Sequence, residues 1–219
     1  MTSDNELVVR LFYGALAALL GYTLVAQVIL TSSEDRSIVN MFSYFTIQSN
    51  VLVFTMSAVL LVRPRVAGAF WRVVRLAALC GITLTGIVYA TVIAPYVHLS
   101  GEALVYNYIF HYVVPISTVI GFVVVGPRRQ FQRRDMVFLV WPVLWLVYTM
   151  VRGAVADPVF KGLGEAPSHY PYRFLDVDAV STVEVVLSIV LITIVLIGLG
   201  FAYLGAERWL DERRQRRAV

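Results

Sequence analysis

The sequence predicts an all-α membrane protein in which a single domain, residues 1–219, crosses the bilayer six times. Hydrophobic residues make up 59% of the chain and the mean hydropathy is +0.76, well above what soluble domains show. These residues form six apolar segments, each close to the ~20 residues that cross ~30 Å of hydrocarbon as a helix, although the fifth is short. The segments lie at about 7–30, 40–62, 73–94, 106–125, 136–152 and 180–204.

The first segment is too long for the apolar core of a signal peptide, and its only basic neighbour is Arg10. We therefore expect an uncleaved helix. Cys80 is the only cysteine, which excludes an intrachain disulfide. Neither repeats nor long linkers divide the chain, and this favours one domain.

The distribution of basic residues predicts the orientation. With the N-terminus inside, 14 of the 18 basic residues lie on the cytoplasmic side. We therefore expect both termini in the cytoplasm, the loop 153–179 outside, and residues 207–217 as a solvated helical extension. The four basic residues on the outer side are Arg36, Arg152, Lys161 and Arg173.

Arginine outnumbers lysine 17 to 1, which is typical of a GC-rich genome and favours a bacterial plasma membrane. The net charge of +4 is explained by basic cytoplasmic loops. No nucleic-acid partner is expected.

The start of the second segment is unusually polar. Hydrocarbon does not tolerate such a cluster without hydrogen-bonding partners, and we predict that the partner is His111, the only histidine well inside an apolar segment. At 1.5 Å per residue, Thr46 lies ~9 Å into its helix and His111 lies at a similar depth. Glu184 of the sixth segment shares this layer. The polar residues of the stretch are Ser43, Thr46, Gln48, Ser49 and Asn50.

Helical spacing places these residues on common faces. Thr46 and Asn50 are four residues apart on the second helix, as are Asn107 and His111 on the fourth. Pro115 follows His111 by four residues, so its ring displaces the His111 carbonyl and predicts a bend beside a polar site.

A hydroxyl next to an imidazole indicates nucleophilic catalysis. Neutral histidine is the usual base for a hydroxyl nucleophile near pH 7, so the hypothesis makes Thr46 the nucleophile and His111 the base. The structural alternative is that the hydroxyls bond backbone carbonyls or join helices, and that Glu184 is interfacial. Candidates for binding substrate or an oxyanion are Ser43, Ser49, Asn50, Asn107, Tyr172, Arg173 and Glu184.

The loop 153–179 ends in an aromatic run, 169–175, which we interpret as a lid over the outer opening; a loop lying on the surface is the alternative. His98 and His169 share this side but lack metal-ligand spacing, so no metal or organic cofactor is expected. The other aromatic residues near the layer are interpreted as core or interface residues. These are Tyr44, Tyr89, Tyr106, Tyr108, Trp141 and Trp145.

Three short motifs resemble the androgen-induced membrane protein family. They are Tyr44-Phe45-Thr46, Asn107 four residues before His111 with a proline soon after, and the run Tyr170-Pro171-Tyr172-Arg173-Phe174-Leu175 before the last helix. The resemblance implies six membrane helices and a lipid esterase. Vertebrate members of that family hydrolyse fatty acid esters of hydroxy fatty acids with an intramembrane threonine and histidine, which would correspond to Thr46 and His111.

We therefore expect an intramembrane lipid esterase that takes a fatty-acyl ester from the outer leaflet. One alternative is a lipid-binding or transport protein in which the same polar residues only orient a head group. Another is a structural subunit in which they fasten helices together.

Reporter fusions at Pro127 and Gly164 test the orientation. We expect a cytoplasmic reporter to be active at Pro127 and an extracytoplasmic reporter to be active at Gly164, because of the arginine asymmetry. Equal or reversed signals at the two positions would refute it.

Overall fold

The computed structural model describes residues 3–127, 131–160 and 167–217. Over these ranges the chain is helical and has no β-sheet, only an isolated bridge between Phe160 and Ser168. In the same ranges six helical segments are long and apolar enough to cross a membrane. The predicted all-α class is confirmed, and the six predicted spans agree with these segments.

Several spans combine α-helix with π-helical or 3₁₀ turns. The α-helices of the described residues are α1 (Ser3–Ser33), α2 (Ile38–Ser43), α3 (Phe45–Val62), α4 (Ala69–Val88), α5 (Gly101–Tyr108), α6 (Val114–Ile120), α7 (Val140–Val155) and α8 (Thr182–Arg217). The π-helical turns are Tyr89–Ile93, Ile109–Val113 and Gly121–Val125, and the 3₁₀ turns are Ala94–Tyr96, Arg133–Leu139 and Arg173–Leu175.

The ends of some spans differ from those predicted. The fifth runs over Arg133–Val155, longer than 136–152, because a 3₁₀ turn precedes α7. The first extends past residue 30 to Ser33, where the hydroxyls of Ser32 and Ser33 bond carbonyls of the preceding turn.

The second span is broken at Tyr44, where we expected one helix over 40–62. Tyr44 has extended dihedrals, φ −68° and ψ 132°, and separates α2 from α3. The Ser37 hydroxyl begins α2 by accepting a hydrogen bond from the Asn40 N–H at 3.2 Å. Neither glycine nor proline lies at the break, so the sequence offered no breaker from which to predict it.

Two apolar clusters hold the helices together. Leu20 and Leu60 belong to the cluster between α1 and α3, and Leu76 and Leu196 belong to the cluster between α4 and α8. The outward face of α8 is apolar and exposed, as at Leu191. Such a face is favourable only against hydrocarbon or another apolar surface.

A buried ion pair joins α4 to α8 near the connection between α3 and α4. Arg75 Nη1 lies 2.8 Å from Glu207 Oε1, and both side chains are 1% exposed. Glu207 Oε2 also accepts a hydrogen bond from the Phe131 N–H at 2.6 Å, and the Arg75 guanidinium lies 5.1 Å from the Phe131 ring centroid. The prediction that residues 207–217 form a solvated extension is therefore wrong at Glu207.

The substitution Glu207→Gln should destabilise the protein by about 3–5 kcal/mol, because it leaves the buried Arg75 charge without its counter-charge. The unfolding midpoint in detergent measures the effect. Glu212→Gln, an exposed position on the same helix, is the matched control and should change little. The double variant Arg75→Met with Glu207→Met should recover much of the loss; a Glu207→Gln protein as stable as the original would contradict the assignment.

Candidate active site

Thr46 and His111 are in contact. Thr46 Oγ1 lies 3.3 Å from His111 Nε2, so the structure brings together the two residues that the depth count placed in one layer. Thr46 is the second residue of α3, and His111 lies in the π-helical turn Ile109–Val113. Thr46 is 8% exposed, and His111 is half-buried. Single π-turns within helices are frequent at functional sites.

The backbone of the histidine's own helix fixes its tautomer. His111 Nδ1 lies 2.8 Å from the Asn107 carbonyl oxygen. A carbonyl oxygen only accepts, so in the neutral ring Nδ1 carries the proton and Nε2 has a free lone pair. That lone pair faces Thr46 Oγ1, which is the arrangement a general base needs.

The break at Tyr44 separates backbone groups that an unbroken helix would pair, and side chains replace the lost bonds. The Phe42 carbonyl would accept from the Thr46 N–H, but it accepts from Gln48 Nε2 at 3.1 Å instead. The Ser43 carbonyl accepts from Trp145 Nε1 at 2.9 Å. Part of the polar stretch therefore serves to make the break tolerable in an apolar environment.

Tyr172 replaces the lost partner of the Thr46 amide. Its hydroxyl oxygen accepts from the Thr46 N–H at 3.2 Å and lies 3.3 Å from Thr46 Oγ1. When the Thr46 hydroxyl donates to His111, the Tyr172 hydroxyl donates to Thr46. Burial raises the pKa of Tyr172, which keeps that proton in place. Tyr172 precedes the short 3₁₀ turn between α7 and α8, so this part of the loop reaches into the bundle.

Tyr89 and Gly86 of the third span form the wall behind His111. The Tyr89 ring stacks on the imidazole, with centroids 4.0 Å apart and planes at 24°, and its hydroxyl accepts a hydrogen bond from Asn107 Nδ2. A Cβ at Gly86 would lie 3.0 Å from Pro115 Cβ and 3.4 Å from the His111 carbonyl oxygen. A bend is predicted at Pro115; the structure has the π-helical turn Ile109–Val113 just before it, and Gly86 leaves room beside the His111 carbonyl. Tyr89 is buried, as a core residue is predicted to be, and its ring lies against His111 as well.

Two cavities meet at Thr46 and Tyr172. One is a cavity of about 950 Å³ with mixed polar and apolar walls, called the polar cavity because its lining includes His111, Asn107 and Arg173. The other is an apolar pocket of about 190 Å³, lined by residues of α4, α7 and α8. The lining residues of this pocket include Leu84, Val88, Leu146, Ile189, Ile192 and Leu196.

The predicted oxyanion donors are not directed at Thr46 Oγ1: Asn50 and Asn107 bond other groups, and Ser49 Oγ has no hydrogen-bond partner among the described residues. Asn50 Nδ2 donates to the carbonyls of Thr46 at 2.8 Å and Phe110 at 3.4 Å, and so ties α3 to the fourth span. Ser49 is fully buried and faces α4, since a Cβ built on Gly81 would lie 3.1 Å from Ser49 Oγ. With Asn107 bonded to Tyr89, none of the three side chains points a donor at Thr46 Oγ1.

Two other candidates lie away from the pair. Glu184 is exposed and accepts from the Ser181 N–H at 2.8 Å, where it stabilises the start of α8. This matches the interfacial alternative. Ser43 Oγ donates to the Val39 carbonyl at 2.8 Å and lies 2.9 Å from Tyr148 Oη, so it belongs to the layer above Thr46.

No family model, curated protein or solved structure matches this chain. The chemistry of the site is therefore inferred from its geometry.

Replacing Gln48 with methionine should destabilise the protein by about 1–3 kcal/mol, because the Phe42 carbonyl at the break loses its donor and Trp141 Nε1 loses its acceptor at 3.3 Å. Thermal unfolding in detergent checks this. The matched control is Gln27→Met. Gln27 bonds the Thr31 side chain within one helix and no backbone group, so its loss should cost less. Equal unfolding midpoints for the two variants would show that Gln48 does not stabilise the helix break at Tyr44.

Proposed function

We propose that the protein is an intramembrane lipid esterase that cleaves fatty-acyl esters, with Thr46 as nucleophile and His111 as base. The observation that carries the proposal is the 3.3 Å contact between Thr46 Oγ1 and His111 Nε2, located where a polar and an apolar cavity meet. A lipid ester has the same division: an apolar acyl chain, a reactive carbonyl and a more polar alcohol portion.

In the first half-reaction Thr46 Oγ1 attacks the ester carbonyl carbon while its proton passes to His111 Nε2. The carbonyl oxygen becomes an oxyanion. The break leaves the Thr46 N–H without a helical partner, and it donates to the Tyr172 hydroxyl instead. In the proposed step the oxyanion replaces that hydroxyl as acceptor for the amide, and the Tyr172 O–H is a second donor at the same place. The tetrahedral intermediate collapses, the carbon–oxygen bond to the alcohol breaks, and the alcohol takes the proton from Nε2.

In the second half-reaction water attacks the acyl-threonine. His111 Nε2 removes a proton from the water, a second tetrahedral intermediate forms, and its collapse returns the proton to Thr46 Oγ1 and releases the fatty acid. The Asn107 carbonyl holds the Nδ1 proton throughout, so His111 acts through Nε2 in both halves. The polar cavity is the route for this water.

In this proposal the apolar pocket holds the acyl chain. Its walls come from α4, α7 and α8, and the outer faces of α7 and α8 are exposed apolar surfaces, as at Val143 and Leu191. We propose that the chain reaches the pocket laterally from the outer leaflet of a bacterial plasma membrane, with both termini of the protein in the cytoplasm. We also propose kinship with the androgen-induced membrane protein family, whose nucleophile and base fall on these two positions.

Hydrolysis of p-nitrophenyl palmitate by the purified protein tests the assignment. Thr46→Ala removes the attacking atom and His111→Ala removes the base, so each should lower turnover on the order of 10³-fold or more. The double variant should be little worse than either, because residues that act as a unit are not additive. Thr46→Ser keeps a hydroxyl and should retain part of the rate.

Tyr172→Phe in the same assay should lower turnover on the order of 10²-fold while the nucleophile stays in place, because one oxyanion donor is lost. Glu184→Gln is the matched control outside the site and should change turnover little. Each variant is first checked for a single peak in gel filtration. A folded Thr46→Ala protein with unchanged hydrolysis would remove the nucleophile, and lipid binding without turnover in the original protein would favour a binding protein.

A further inference from the structure

The charged residues lining the polar cavity are mostly basic. Among the described residues these are Arg36, Arg152 and Arg173, against one acid, Asp35. Arg36 already forms an ion pair with Glu34. The proposed reaction uses none of these residues.

Arg152 is held in place by neutral groups. Its Nη2 donates to Asn40 Oδ1 at 2.5 Å and its Nη1 to Ser43 Oγ at 3.4 Å. Asn40 is itself fixed, since its Nδ2 donates to the Val159 carbonyl at 2.7 Å. The guanidinium carbon lies 5.6 Å from the Phe160 ring centroid. Three contacts therefore pre-position the guanidinium: two with α2 and one with the loop that follows α7.

Within the described residues the Arg152 guanidinium has no counter-charge. No carboxylate in residues 3–127, 131–160 or 167–217 lies within ion-pair distance of Arg152, although its side chain is half-buried. Two of its five N–H donors bond the oxygens of Asn40 and Ser43, which leaves three for a ligand. A partly buried charge is costly unless it is paired, and arginine matches the planar, two-oxygen edge of a carboxylate or phosphate.

We propose that Arg152 binds an anionic group, a carboxylate or a phosphate, on the portion of the lipid that occupies the polar cavity. The inference rests on the proposed function only in taking that lipid as the substrate. Arg152 and Thr46 both line the polar cavity, so one ligand can present its anion to Arg152 and its carbonyl to Thr46. The acyl chain lies on the other side of Thr46, in the apolar pocket. Arg152 is then a specificity-determining residue and not a catalytic one.

Equilibrium binding to the Thr46→Ala protein in phosphatidylcholine nanodiscs tests this without hydrolysis. Three radiolabelled lipids with the same acyl chain serve as probes: palmitic acid, 1-palmitoyl lysophosphatidic acid and 1-monopalmitoylglycerol. We expect the neutral glyceride to bind more weakly than at least one anion. Whichever anion binds more tightly identifies the group as a carboxylate or as a phosphate.

Adding Arg152→Gln should weaken binding of the preferred anion on the order of 10-fold to 100-fold and change binding of monopalmitoylglycerol less than about 2-fold. Arg152→Lys should bind the preferred anion with an affinity between those of the protein with Arg152 and the Arg152→Gln variant. Arg133→Gln, an exposed arginine at the start of the fifth span, is the charge-matched control and should change neither. Retained binding of the neutral glyceride shows that the variants are folded.

Equal affinity for neutral and anionic lipids, or anion binding that survives Arg152→Gln, would overturn the inference. Turnover of neutral p-nitrophenyl palmitate by the protein with Thr46 intact reports separately on the proposed esterase. Anion binding that depends on Arg152 in a protein without turnover would uphold this site and reject the esterase. Turnover together with anion binding that does not depend on Arg152 would uphold the esterase and reject this site.

Discussion

The break in the second span at Tyr44 is the constraint on which the rest of the site depends. A helix in hydrocarbon must satisfy every backbone polar group, and the break removes the bond between the Phe42 carbonyl and the Thr46 N–H. Gln48 donates to the carbonyl instead, and the Tyr172 hydroxyl accepts from the amide. A structural requirement therefore places a phenol, and a backbone N–H at the start of α3 that this phenol accepts from, next to the Thr46 hydroxyl. The same two donors are the ones that an oxyanion would need.

The sequence predicted the pairing of Thr46 with His111 because depth in a membrane can be counted along a helix, and because polar residues in apolar segments require partners. It could not predict the break. Ser43, Tyr44 and Phe45 contain no helix breaker, and the groups that compensate the break lie far away in the chain. Trp145 is 102 residues from Ser43 and Tyr172 is 126 residues from Thr46.

Buried charge was missed for a related reason. Glu207 stands at the start of a strongly charged C-terminal run, and a run of charges usually indicates solvated surface. Its partner Arg75 is 132 residues away. The second carboxylate oxygen accepts a hydrogen bond from the Phe131 N–H. The aromatic rings around Arg75 make the site apolar, so both charges are buried only because each compensates the other. Local patterns identify which residues are charged, but only tertiary contacts decide which of them face water.

The two cavities are lined by largely different residues. The walls of the apolar pocket come mainly from α4, α7 and α8, while Arg152 is fixed in the polar cavity by Asn40 of α2 and by Ser43 at its end. Thr46 and Tyr172 are common to both cavities. Under the proposed function, substitutions in the apolar pocket would change the length of acyl chain that is accepted without moving Arg152. Thr46 and His111 are held between the two cavities by the start of α3 and by the π-turn.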